Sequence, residues 1–169
     1  MRFVVLCHGT PDLTNLSISK SQDRVFEKGK RSLSGPDAVA VEVALQKKGP
    51  GDEVIVLGWG DEANRDALRK PLAMGADRAA WTAGDPAAAA KTLGADVIVG
   101  AGVDAARAGG ALGLPEDRVW LVAPDAAVPR IPNALAAMKS AKRPIETVEA
   151  PSPPLLSLRW ATLLAAEEA

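Results

Sequence analysis

The chain has 169 residues, 47% of them hydrophobic and 24% charged, and carries no long uninterrupted apolar run, which is the composition of one compact soluble domain rather than a disordered or membrane-inserted chain. Twenty basic side chains against 21 acidic ones leave a net charge of −1, too little to hold nucleic acid or an anionic membrane surface. A single Cys, a single His and no Tyr exclude an intramolecular disulfide, argue against a Cys/His metal site and leave few groups for catalysis, so a binding module is expected rather than an enzyme.

The first 12 residues are too short for a signal peptide and read directly into a strand, so a cytoplasmic location is expected. Residues 3–7 are a continuous apolar run that meets His8-Gly9-Thr10-Pro11-Asp12, a buried strand ending in turn chemistry. Residues 13–35 are polar and aperiodic, a long loop with room for a short hairpin. Ser34-Gly35-Pro36-Asp37 starts a helix, with proline in the first turn and acid at the positive dipole end, and Gly49-Pro50-Gly51 stops it.

The pattern continues with a strand at 53–57, a helix over 61–74 closed by Gly75, a strand at 78–81 and an alanine-rich helix at 85–93. A strand at 96–99, a helix at 104–112 and a strand at 118–122 come next. Such alternation with short connections predicts a doubly wound, mostly parallel α/β sheet covered by helices on both faces, occupying residues 1–149. Within it, a basic helical turn is expected at 134–142 and an extended segment at 144–149. Ala150-Pro151-Ser152-Pro153-Pro154 opens a proline-rich linker, and Leu156, Trp160, Leu163 and Leu164 share one helical face, so residues 150–169 are expected to be that linker and a C-terminal amphipathic helix.

Two loops match G-x-G-x-x-A between a strand and a helix: Gly58-Trp59-Gly60-Asp61-Glu62-Ala63 and Gly100-Ala101-Gly102-Val103-Asp104-Ala105. Both put acid at the helix start, where Asp61, Glu62 or Asp104 competes with a phosphate, so each loop alone reads as a capped helix after a tight turn. Together they line one nucleotide cleft, because ligands of open α/β sheets sit beyond the carboxyl ends of the strands. Cys7 and His8 are neighbours in an extended strand and point to opposite faces, which excludes a nucleophile–base dyad and leaves a buried thiol and a ligand-lining histidine. Lys139, Lys142 and Arg143 form a basic cluster beside Leu135 and Met138, a solvated face or a dock for an acidic partner.

Three segments in order then resemble the β subunit of electron transfer flavoproteins. They are Ala40-Val41-Glu42-Val43-Ala44, Leu68-Arg69-Lys70-Pro71-Leu72-Ala73-Met74-Gly75-Ala76-Asp77-Arg78-Ala79, and Arg130-Ile131-Pro132-Asn133 through Met138-Lys139-Ser140-Ala141-Lys142-Arg143-Pro144-Ile145-Glu146. The resemblance implies an adenine-nucleotide-binding fold that pairs with an α-type subunit, shares FAD at the joint interface, holds AMP in its own cleft and passes electrons from dehydrogenases without substrate chemistry of its own. The family's phosphate loop G-K-Q-A-I-D-x-D-T-G-Q is replaced here by residues 100–109, in which Asp104 aligns with the acid before the threonine and Arg107 stands in the glutamine position. A hairpin that the family carries between Val122 and Arg130 is reduced to residues 123–129. The chain therefore resembles a shortened, divergent member.

The resemblance and the strand–loop pattern together assign cofactor binding to Cys7, His8, Gly9, Gly58, Trp59, Gly60, Gly100, Gly102, Asp104 and Arg107. Partner docking is assigned to Ala134, Leu135, Met138 and Trp160; no residue is assigned to catalysis or a metal. FAD shared with a partner, or AMP, is the expected cofactor. An α-subunit-like protein or a second copy is the expected partner, with a dehydrogenase as electron donor. The alternative is a degenerate adenine-nucleotide module that has kept a regulatory ligand and lost redox work.

Overall fold

A computed structural model describes residues 1–11, 16–19, 21, 24–27, 30–131 and 134–152. Ten strands and five α-helices are placed among them: β1 (Arg2–Cys7), β2 (Gly9–Thr10), β3 (Leu16–Ser19), β4 (Arg24–Glu27), β5 (Ser32–Leu33), α1 (Gly35–Lys47), β6 (Glu53–Trp59), α2 (Arg69–Met74), β7 (Arg78–Thr82), α3 (Pro86–Thr92), β8 (Val97–Gly100), α4 (Val103–Ala111), β9 (Val119–Leu121), α5 (Ala134–Ala141) and β10 (Ile145–Thr147). Six strands form one sheet in the order β10-β7-β6-β1-β8-β9, and every pairing in it is parallel. The doubly wound α/β fold expected from the alternation is the fold observed.

Helices cover both faces, which is why the central strands are apolar throughout instead of alternating. Phe3, Val5 and Cys7 of β1 face a core shared with α1 and α2, where Ala40, Val41, Leu68 and Leu72 pack. Val4 and Leu6 face the opposite core, built from the alanines of α3 and α4 with Ile55, Leu57 and Ile98. Small residues bring these two helices close to the sheet. A methyl group at Gly109 would lie 2.3 Å from a Val119 methyl, and one at Gly100 would lie 2.7 Å from the Ala105 side chain.

The structure departs from the sequence reading in one place and fills it in at two others. The helix expected over 61–74 is a 3-10 helix at Glu62–Leu68 followed by α2; Pro71 has no N–H to give to the preceding turn, so the α-helical ladder begins afresh with proline in its first turn. The polar segment 13–35 contains the antiparallel pair β3–β4 and returns through β5, which pairs with β2. The extended segment near 144–149 becomes β10, a sixth parallel strand beside β7. After β10 the backbone passes close to the β7–α3 turn. Asp85 N–H donates to Pro151 O at 2.7 Å, and a methyl group at Gly84 would lie 2.2 Å from Ala150 O. The linker beyond Ser152 and Trp160 lie outside the described residues.

Candidate functional site

The strand order reverses at β1. Successive strands β6 and β7 extend the sheet to one side, and β8 returns to the other side of β1. In open parallel sheets this reversal leaves a crevice beyond the strands' carboxyl ends, since the connections on either side of it run to opposite faces. Here β1 ends at Cys7 with His8 directly after it, and β8 runs into the turn that opens α4.

His8 occupies that position. Its backbone N–H donates to Asp37 Oδ2 at 2.7 Å, and its Nδ1 lies 3.3 Å from the same oxygen. Asp37 is buried in the first turn of α1, a helix whose start is fixed by Ser34 Oγ accepting from Asp37 N–H. On the other side, His8 Nε2 lies 3.4 Å from Asp104 Oδ2 in the first turn of α4, and the second oxygen of Asp104 faces Arg107 Nη2 at 3.3 Å. Trp59 completes the enclosure, its ring steeply inclined to the imidazole at 65° with centroids 4.2 Å apart. The hydrogen bond to Asp37 raises the imidazole pKa above its ordinary 6.5; partial burial opposes this, and the charges of Asp37 and Asp104 add to it.

Cys7 belongs to the sheet beneath. Its side chain is buried in the α1-facing core, the thiol lies 3.6 Å from Val5 O, and burial followed by the nearby Asp37 charge pushes its pKa well above the ordinary value. The thiol stays neutral and points away from the half-exposed imidazole.

Other positions singled out in the sequence have local structural roles. Gly58 lies in register between Cys7 and Trp81, and a methyl group there would press on Leu68 at 3.3 Å. Gly60 adopts φ +83°, the left-handed turn that carries the chain out of β6. A methyl group at Gly9 would meet Asn64 Oδ1 at 2.6 Å. Gly102 differs from all of these: it caps α4 without any side-chain acceptor, and the space above it is open.

The carboxyl rim of the sheet is acidic. Asp61 accepts from Ala63 N–H at 3.0 Å and Asp85 from Ala88 N–H at 3.1 Å, so the helices after β6 and β7 are capped by their own carboxylates. In contrast, α4 has no side-chain cap, and Asp104 turns toward His8 and Arg107.

The structure thus brings His8, Trp59 and Asp104 together, with Gly102 and Arg107 on the α4 side, while Gly9 and Gly60 lie toward the β6 side. Sequence reasoning missed Asp37. It was visible only as acid complementing a helix dipole, because its second role depends on a residue 29 positions away. Among the described residues, no group of three or more His, Cys, Asp or Glu side chains is arranged to hold a metal ion. A depression of about 660 Å³ lies away from the crevice, near the carboxyl end of α1, lined by Glu42, Leu45, Met74 and Arg130 among others.

On the α2 side, α5 presents Leu135 and Met138, 65% and 62% exposed, and Ala134 is also exposed. Ala137 turns inward. Arg69 Nη1 donates to Ala141 O and Arg143 O and so holds the end of this helix.

The fold and this crevice define an open doubly wound α/β domain with the geometry that such sheets use for small-molecule ligands. No model of a known protein family matches the chain. It is 38% identical over 82 residues to the caffeyl-CoA reductase-Etf complex subunit CarD of Acetobacterium woodii, a match covering 47% of this chain and 31% of that protein. It is 35% identical over 88 residues to the electron transfer flavoprotein subunit beta of Syntrophomonas wolfei, covering 50% of this chain and 35% of that one. The chain therefore spans about a third of the length of these curated relatives and is similar to electron transfer flavoprotein β-type subunits over about half of its own. Among the described residues, no helix is long and apolar enough to cross a membrane.

Proposed function

We propose that this chain is an electron transfer flavoprotein β-subunit-like protein, a cytoplasmic electron carrier component that binds an adenine nucleotide, FAD or AMP, together with an α-type partner and performs no substrate chemistry itself. The observation that carries this reading is the likeness to two β-type subunits over about half of the chain.

The crevice at the strand reversal fits such a ligand. The first turn of α4 has backbone N–H groups without a side-chain cap, open space above Gly102, and Arg107 near enough to offset charge. His8 and Trp59 would flank the ligand. FAD, when bound, would supply the redox step, and this chain would hold its phosphates, orient it and limit its contact with water. Leu135 and Met138, ringed by Lys139, Lys142 and Arg143, would offer apolar anchors with a basic rim to a partner.

The test is the ultraviolet–visible spectrum of the purified chain, alone and after addition of an α-type subunit, followed by heat release and chromatography of the bound molecule. FAD or AMP is expected. AMP without flavin in both preparations would select the non-redox adenine-nucleotide module instead. Absence of any nucleotide from both would overturn the proposal.

A further inference from the structure

The chain's single imidazole stands where the sheet order reverses, and each of its nitrogens faces a carboxylate on a different helix: Nδ1 faces Asp37 of α1 and Nε2 faces Asp104 of α4. The other groups around it do not replace this pairing. The β1 neighbour Cys7 is a buried neutral thiol, β6 contributes the uncharged ring of Trp59, and Arg107 faces the other oxygen of Asp104. Beyond Gly9, Arg31 engages Asn64 at 2.7 Å and Asp61 at 3.8 Å.

A neutral imidazole donates through one nitrogen only, so its other nitrogen would meet a carboxylate lone pair to lone pair. Both contacts are satisfied together only when both nitrogens carry protons.

We propose that His8 is a proton-operated specificity residue of the crevice: as imidazolium it bridges Asp37 and Asp104, and it transfers its Nε2 contact from Asp104 to a ligand phosphate arriving at the first turn of α4. The inference rests on the adenine-nucleotide reading above and adds the control of that site. A phosphate beside Asp104 and Asp37 with neutral His8 would face two carboxylates, offset by Arg107 alone. With His8 protonated, the crevice gains a cation and a donor.

Since a bound anion stabilises the imidazolium, His8 holds its proton more tightly in the complex than in the free protein. Affinity therefore falls as pH rises through the free protein's His8 pKa, by up to about tenfold for each unit by which the ligand raises that pKa.

The test uses the isotope-labelled chain in whichever preparation, alone or with an α-type partner, holds the nucleotide. FAD and the methyl diester of AMP serve as probes, because their phosphates do not titrate between pH 6.5 and 8.5. In the free chain, the imidazole signal in nuclear magnetic resonance should titrate above 6.5, lower in Asp104→Asn, and higher when saturated with either probe. Calorimetry should show affinity falling across that range for the unmodified chain, with a flat profile for His8→Gln. The titration of the unmodified chain provides the readout should that variant fail to fold. Binding whose affinity is independent of pH, with an imidazole pKa unmoved by the probe, would overturn this inference and leave the nucleotide reading standing. No binding of either probe at any pH would overturn both.

Discussion

The two ends of the parallel sheet handle charge in opposite ways. At the amino end, opposite charges alternate across four neighbouring strands: Arg2 of β1 faces Glu53 of β6 at 3.3 Å, Glu53 faces Arg78 of β7 at 3.3 Å, and Arg78 makes a two-pronged contact with Glu146 of β10 at 2.8 Å on each prong. Lys48 with Asp77 and the terminal amine with Asp52 continue the same pairing. At the carboxyl end, carboxylates cap the segments after β6 and β7 and sit in the first turns of α1 and α4, and at the strand reversal one imidazole stands between the last two. The first arrangement is complete in itself, as befits an end that only has to hold strands together. The second depends on a proton, which ties it to its surroundings.

That contrast can be broken or sharpened by mutation. The largest effect is expected from Asp37→Ala, which removes the buried acceptor of the His8 backbone N–H and one partner of its ring. Urea denaturation should show a loss of about 2–3 kcal/mol, the cost of leaving a partly buried donor unsatisfied. The His8 pKa should fall at the same time. Arg78→Ala is expected to cost less, about 1 kcal/mol, because its contacts are substantially exposed and their attraction is screened. A larger loss from Arg78→Ala than from Asp37→Ala would invert the comparison.

The two ends should also respond to opposite changes of pH. His8 has a folded-state pKa raised above 6.5, so its contribution is fully present below the unfolded value and is lost as pH rises through the folded one. Glu146 is held below its ordinary 4.5 chiefly by its hydrogen bonds to Arg78. Its contribution is present above that value and is lost as pH falls through the lowered one. Thermal melting across pH should therefore show a decline above pH 6.5 that His8→Gln removes and an acidic decline that Glu146→Gln reduces. Exchange of these assignments would sink the account. The smallest effect on stability belongs to Met138→Ser on α5, within about 0.5 kcal/mol because the side chain is exposed. Its measurable consequence should be weaker association with an α-type partner, read by calorimetry.

Much of this architecture was legible in the residues. The apolar run 3–7, short and bounded by turn chemistry, reads as a strand buried on both faces, and the helix stop at Met74-Gly75 is confirmed by a glycine at φ +121°. The 3-10 stretch before α2 was not legible, because periodicity alone does not reveal that Pro71 interrupts the ladder. The extended segment at 144–149 was legible, but its place in the sheet was not: three residues with an Ile-Glu-Thr pattern become a sheet strand only once β7 is beside them. At the crevice, the loops ending β1, β6 and β8 could be picked out by their glycines and turns, since local chemistry dictates them. The pairing of His8 with Asp37 and Asp104 could not, because it joins residues from two crossovers that meet only after the sheet order reverses.

The backbone contact between the β7–α3 turn and residues 150–151 sets the point from which the last residues of the chain depart. The chain is fastened at Asp85 just before it leaves the described structure at Ser152, on the same rim of the sheet as the crevice. A side chain at position 84 could not share that rim with the fastened backbone: the methyl group of a Gly84→Ala variant would lie 2.2 Å from Ala150 O, so residues 150–151 would have to lift off the β7–α3 turn and give up the bond to Asp85.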